Sequence, residues 1–205
     1  MSEYETVLAE SVGEIEVKKS KFIARLAPVS CAAEAREYLD LVRNNNKRAK
    51  HNVHAFRLMN GGVGFSDDGE PQGTAGKPVM DALSGSGLVN VEIIVTRYFG
   101  GILLGTGGLV RAYGDAAKAA LDAARPVTMQ SVKEFSVSLD YSRYGRVSAL
   151  VPEFGGCVED TVYKENIELA FYIPDVRVEA FLSALSELTL GAVAPVRTGE
   201  GYRVK

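Results

Sequence analysis

VTRYFGGILLGTGGLVRAY, residues 95–113, joins the end of an apolar run to a glycine-rich turn and then to a helical repeat. Upstream, LVNVEIIV (88–95) carries a single charge, the pattern of a strand covered on both faces. Downstream, Leu109, Ala112, Tyr113, Ala116, Ala120, Leu121 and Ala124 form one apolar face, with Arg111, Asp115, Lys118, Asp122 and Arg125 opposite, so the spacing predicts a helix from Leu109. The glycines at 100, 101, 105, 107 and 108 admit two readings. They cradle an anion against a helix N-terminus, whose outward amides carry about half a positive charge, or they let strand, loop and helix pack at close range. Two specific phosphate loops are excluded: Thr106 stands where a Walker lysine is needed, and Val110 where a dinucleotide fingerprint needs its third glycine.

Working outward, GEIEVKKSKFIARLAPV (13–29) alternates as two strands around a KKS turn. Ser30 is placed to cap a helix whose apolar face is Ala35, Tyr38, Leu39 and Val42. NVHAFRLMN, a GG turn at 61–62 and VGFS read as a hairpin. SDDGEPQGTAGKP (66–78) is a loop, with Pro78 in the first turn of a helix that Gly85 and Gly87 stop. Pro126 closes this half, and the remainder reads β-α-β-β-α-β, the order of a ferredoxin-like sandwich. The fold class is therefore α+β, with domains at 1–130 and 131–205 and a junction near Thr128 to Ser131.

Charge is uneven: residues 131–205 hold 8 basic and 11 acidic side chains, leaving 15 of each in 1–130. The net charge of −3 does not announce a nucleic-acid binder, so a basic surface has to be local. No apolar stretch reaches the ~18–20 residues of a membrane span, and the acidic start MSEYETVLAE is unlike a signal peptide, so a cytoplasmic protein without a membrane partner is expected. Cys31 and Cys157 lack partners at ligand spacing and read as buried, chemically quiet thiols. Nothing calls for a metal or a cofactor, and no feature sets an oligomeric state.

Arginine beside aromatic rings, as in RYF (97–99), is what a stacking platform for single-stranded nucleic acid needs. Strand alternation sets Tyr98 opposite Arg97 and Phe99, which makes one aromatic a core residue. KRAKHNVHAFR (47–57) is the densest basic segment; it reads as a solvated surface or as a footprint for phosphates. The only histidines, His51 and His54, fall on opposite strand faces, and no nucleophile motif accompanies them. Asp67, Asp68 and Glu70 give three carboxylates in five residues, which read as a solvated turn or a magnesium site. The expected anion- or nucleic-acid-binding set is Arg97, Phe99, Lys77 and Arg111 with Gly105, Gly107 and Gly108, extended by Lys47, Arg48, Lys50 and His51.

KKSKFIARLAPV, HNVHAFRL, SDDGEPQGTAGKPVMDAL and GLVNVEIIVTRYFGGILLGTGGLVRAYGDAAKAAL together resemble the bacterial YigZ branch of the IMPACT family, from about residue 13 to 125. The matching motif positions are His51, Asn52, Ser66, Asp67, Asp68, Gly69, Glu70, Gly73, Thr74, Gly76, Lys77, Pro78, Arg97, Tyr98, Phe99, Gly100, Gly101, Gly105, Gly107, Gly108, Arg111 and Tyr113. His54 departs from the pattern, since relatives often carry an aromatic residue there. The resemblance implies a first domain with the left-handed β-α-β fold of elongation factor G domain IV and ribosomal proteins, and a ferredoxin-like second domain similar to domain V. It further implies a non-enzymatic partner of RNA, the ribosome or a protein of the translation machinery, with a role in translation regulation. Eukaryotic relatives regulate translation under starvation through a partner domain absent here. Two rivals use the same residues: an enzyme in which His51, Asp68 and Glu70 act on a small phosphorylated or nucleotide ligand, and a protein-interaction module with a purely structural glycine loop.

Overall fold

The apolar run before the glycines is the central strand of a five-stranded antiparallel sheet, in a computed structural model that describes residues 2–205. After β1 (Glu3–Val7), a segment in which the sequence suggested no element, come the hairpin β2 (Ser11–Val17) and β3 (Ser20–Pro28), then α1 (Ala32–Asn45). A second hairpin, β4 (His51–Arg57) and β5 (Val63–Ser66), leads through a loop to α2 (Gly76–Ser86), β6 (Val91–Tyr98) and α3 (Thr106–Asp122). The order is β2-β3-β6-β4-β5. Every residue of β6 from Val91 to Arg97 is buried, as a strand covered on both faces requires. Ile93 and Val95 join Phe22, Leu26, Val53 and the apolar faces of α2 and α3 in one core, while Ile94 packs on Leu39 and Val42 of α1. Alternation thus assigns the two helical layers to opposite faces of the sheet.

Local chemistry explains most boundaries. Lys18 and Lys19 form a two-residue hairpin turn with φ of 48° and 64°, the left-handed values such a turn demands at both positions. Gly87, at φ 78°, closes α2, whereas Gly85 lies inside that helix. α3 starts at Thr106, three residues before its first apolar contact. Ser30 stands one residue before the N-cap, Cys31; its hydroxyl and amide both donate to Glu34, at 2.7 and 2.6 Å, so it steadies the first turn from outside the helix.

The chain divides into two units, residues 4–127 and residues 128–205 with Ser2 and Glu3. The second contains β7 (Pro126–Leu139), α4 (Tyr141–Glu153), β8 (Cys157–Tyr163), β9 (Ile167–Pro174), a 3-10 turn (Asp175–Arg177), α5 (Val178–Thr189) and β10 (Val196–Val204). Its strands run β10-β7-β9-β8, antiparallel, over a core that includes Phe135, Phe171 and Phe181. The segment 128–131 lies within β7, and Pro126 opens that strand, a position where proline's missing donor costs nothing. Pro152 sits in the last turn of α4, whose N-terminus Asp140 caps by accepting from the Arg143 amide at 2.9 Å.

Two expectations are corrected. Both cysteines are exposed, Cys31 as the N-cap of α1 and Cys157 as the first residue of β8. Neither aromatic of the Tyr98-Phe99 pair is a core residue: Tyr98 is half-buried, with its hydroxyl donating to Asn46 at 2.8 Å, and Phe99 is 54% exposed. Among the described residues no helix is long and apolar enough to cross a membrane.

The glycines do different work. A Cβ on Gly13 would lie 2.3 Å from the Ala119 carbonyl carbon, and one on Gly100 would lie 2.0 Å from the carbonyl carbon of Lys19, whereas one on Gly107 meets nothing within 4 Å. Gly13→Ala and Gly100→Ala are therefore expected to lower unfolding free energy by ~1–3 kcal/mol or more. Gly107→Ala, in a helical turn, is expected to leave stability equal or raise it by ~0.5–1 kcal/mol. Denaturant titration checks both, and equal effects at all three positions would contradict the assignment.

Candidate functional site

Strand register gathers the chemistry at one end of the first sheet. Phe22 of β3 and His51 of β4 are both cross-strand partners of Arg97 on β6, which makes a row of three side chains. Beyond that row the chain turns at Lys18 and Lys19 on one side, passes through Lys47, Arg48 and Lys50 on the other, and leaves β6 through Phe99 in the middle. Those five basic residues and Phe99 are all exposed.

Beneath this rim lies a buried polar network. Glu70 Oε1 accepts from Arg97 Nη1 at 2.6 Å and from the Tyr113 hydroxyl at 2.7 Å. Burial first, and then the Glu70 carboxylate, push the Tyr113 hydroxyl well above its ordinary value, so it remains a proton donor. The Arg97 guanidinium also lies 5.5 Å from the Phe22 ring centroid and 5.7 Å from that of Phe99. His51 Nδ1 is 2.8 Å from the Asp68 carbonyl oxygen, which only accepts, so Nδ1 carries the proton and Nε2 faces Glu70 at 4.0 Å.

The acidic loop is held from within. Asp67 accepts from the amides of Gly73, Ala75 and Gly76 at 2.8, 3.0 and 2.8 Å, which fixes the loop and satisfies the start of α2. Burial alone would raise its carboxyl, but the three amide bonds outweigh it and hold it below the ordinary 3.8. The Asp68 carboxylate accepts from the Asn52 amide and from Arg43, both at 2.6 Å. Asp67, Asp68 and Glu70 are thus spent on three different partner sets, and this loop is neither a solvated turn nor a convergent cation cage. On the other face of the sheet His54 pairs with the fully buried Glu92 at 2.9 Å, which separates the two histidines as alternation required.

The expected site residues do not all come together. Lys47, Arg48, Lys50, His51 and Phe99 come together at the sheet end, joined by Lys18 and Lys19, which read as a mere turn because nothing local announces their neighbours. Gly105, Gly107 and Gly108 open α3 at the same end, where Gly105 has φ 74° and no side chain caps the helix. Lys77 and Arg111 stand exposed on the early turns of α2 and α3, and Lys77 is paired with Asp81. Arg97 is the correction: at 7% exposure its charge is neutralised by Glu70 rather than offered to a ligand, since a buried guanidinium has to be paired.

Residues 18–121 match the Impact N-terminal domain and residues 137–192 a domain of unknown function (DUF1949). An IMPACT family member of Haemophilus influenzae is 37% identical, covering 93% of this chain and 95% of that protein. The chain belongs to the IMPACT family. IMPACT family member YigZ of Escherichia coli is 35% identical over 87% of this chain and 89% of its own, while human Protein IMPACT matches at 34% over 43% of this chain and 29% of its own. A crystal structure of a hypothetical protein superposes with a TM-score of 0.67 and 32% identity, covering 97% of this chain and 98% of that one. Every residue of the sheet-end site lies within the Impact N-terminal match.

Two outcomes follow from the network. Removing either partner of a buried ion pair strands the other, so Glu70→Ala and Arg97→Ala are each expected to cost ~3–5 kcal/mol. A loss under ~1 kcal/mol by denaturant unfolding would contradict the pairing. Asp67, whose folded carboxyl is depressed, stabilises the protein while ionised, above its ordinary 3.8, and loses that contribution as pH falls through the lower folded value. The stability gap between the natural protein and Asp67→Asn is therefore expected to narrow below about pH 4; a gap unchanged down to the acid transition would contradict it.

Proposed function

We propose that this protein is a non-enzymatic cytoplasmic binder of RNA, acting on its own or at the ribosome, and that the sheet end is its binding surface. The observation that carries the reading is that Lys18, Lys19, Lys47, Arg48 and Lys50, all exposed, flank the strand end from which the chain leaves through Phe99 toward the uncapped N-terminus of α3. Five ammonium or guanidinium groups and a helix end with open amides complement a phosphate backbone. The β2-β3-β6-β4-β5 and β10-β7-β9-β8 strand orders support kinship with domains IV and V of elongation factor G, the second in its ferredoxin-like form. Family membership supports a role in translation regulation.

A second reading rests on His51, whose Nδ1–H is fixed by a carbonyl while Nε2 faces a carboxylate, a geometry that serves a general base. Among the described residues, no hydroxyl or thiol is bonded to either His51 nitrogen, so the nucleophile would have to come with the substrate. Turnover assays on nucleotides and short RNAs separate the readings. His51-dependent product formation would favour the enzyme.

On the binding reading, Lys47→Ala with Lys50→Ala is expected to weaken binding to a single-stranded RNA and to reduce the slope of log K against log salt by ~0.7 per lost contact. Unchanged affinity and slope in the folded double variant would remove the sheet end as the RNA surface.

A further inference from the structure

The exposed Phe99 is held in an unusual way for a surface aromatic. Its ring faces the Arg97 guanidinium at 5.7 Å; that group also faces the buried Phe22 ring at 5.5 Å and is bound to Glu70 at 2.6 Å. Phe22 in turn meets Tyr113 edge-on at 5.2 Å, and the Tyr113 hydroxyl returns to Glu70. A closed circuit of buried groups therefore supports one side of Phe99, while 54% of the residue stays open to solvent. The next residue is fixed as well: the Gly100 amide donates to Ser20 at 3.1 Å, and its α-carbon is pressed on the Lys19 backbone. The backbone that carries the exposed ring is thus held by the strand before it and by Gly100 after it.

An exposed ring carried on a fixed backbone and flanked by cations on two sides fits an unpaired base better than a duplex. Basic side chains at 18–19 and at 47–50 lie on either side of the strand end that carries Phe99, as they would if a backbone crossed the sheet end with one base turned inward. A duplex keeps its bases stacked on one another and offers no free face to a ring. We infer that Phe99 is a stacking platform for one unpaired base, so that the partner is single-stranded or looped RNA rather than double helix. This inference rests on the RNA-binding reading and adds the class of RNA.

The natural chain contains no tryptophan, so Phe99→Trp puts a single reporter at the platform. The probes are a mixed-sequence single-stranded 12-mer RNA, the same sequence as a duplex, and inorganic polyphosphate. The full-length Phe99→Trp protein, checked for an unchanged melting temperature, is expected to bind the single strand with strong quenching of its emission, and to bind duplex or polyphosphate without it. Phe99→Ala is expected to weaken single-strand binding ~5- to 150-fold and to leave the two charge-only probes within about twofold. Single-strand binding that survives Phe99→Ala, with unquenched emission in Phe99→Trp, would overturn the platform and leave RNA binding standing. Failure of the natural protein to bind any of the three probes would overturn both.

Discussion

The ion pair between Arg97 and Glu70 is the constraint on which the first domain's working end depends. Arg97 is the last buried residue of the central strand, and Glu70 lies in the acidic loop that leads to α2. Their 2.6 Å contact, shared with Tyr113 of α3, ties strand, loop and helix together at one point. A buried pair of this kind is weak evidence of stability, since hydrophobic residues could fill the same space. It does fix geometry: the loop cannot leave without exposing a charge, and the ring of Phe99 leans on the same guanidinium.

That arrangement separates two jobs that the sequence had merged. Charge inside the core positions elements, and charge on the rim is available to a ligand. Arg97 does the first, although its place beside two aromatics suggested the second. Lys18, Lys19, Lys47, Arg48 and Lys50 do the second, carried by a hairpin turn and a helix-strand connection that meet only through the register of β3, β6 and β4. The acidic loop follows the same division: Asp67 holds amides, Asp68 holds Arg43 and the start of β4, and Glu70 holds Arg97.

Much of the fold was legible because it depends on periodicity. The unbroken run into Arg97 marked a strand covered on both faces, the apolar spacing after Leu109 marked the packed face of α3, and a separation of three set His51 and His54 on opposite faces. What depends on distant partners was not legible. The neutralisation of Arg97 requires a carboxylate 27 residues away, and the reach of Lys19 to Gly100 requires a hairpin to fold back. Glycines that look alike in sequence separate once backbones meet, Gly100 for close contact and Gly105 for its positive φ. Pro126, which reads as closing the first half, instead opens β7, where a proline is tolerated, so that strand runs on through residues 128–131.

On the proposed reading, the sheet end supported by the Arg97–Glu70 pair is the surface that meets RNA. Amide chemical-shift mapping of the full-length protein titrated with a short single-stranded RNA tests it most directly. The perturbed amides are expected to cluster in residues 18–21, 47–51 and 99–108, with the interior strand residues 91–96 little changed. Perturbations confined to residues 128–205, or to the outer face of α1, would contradict it.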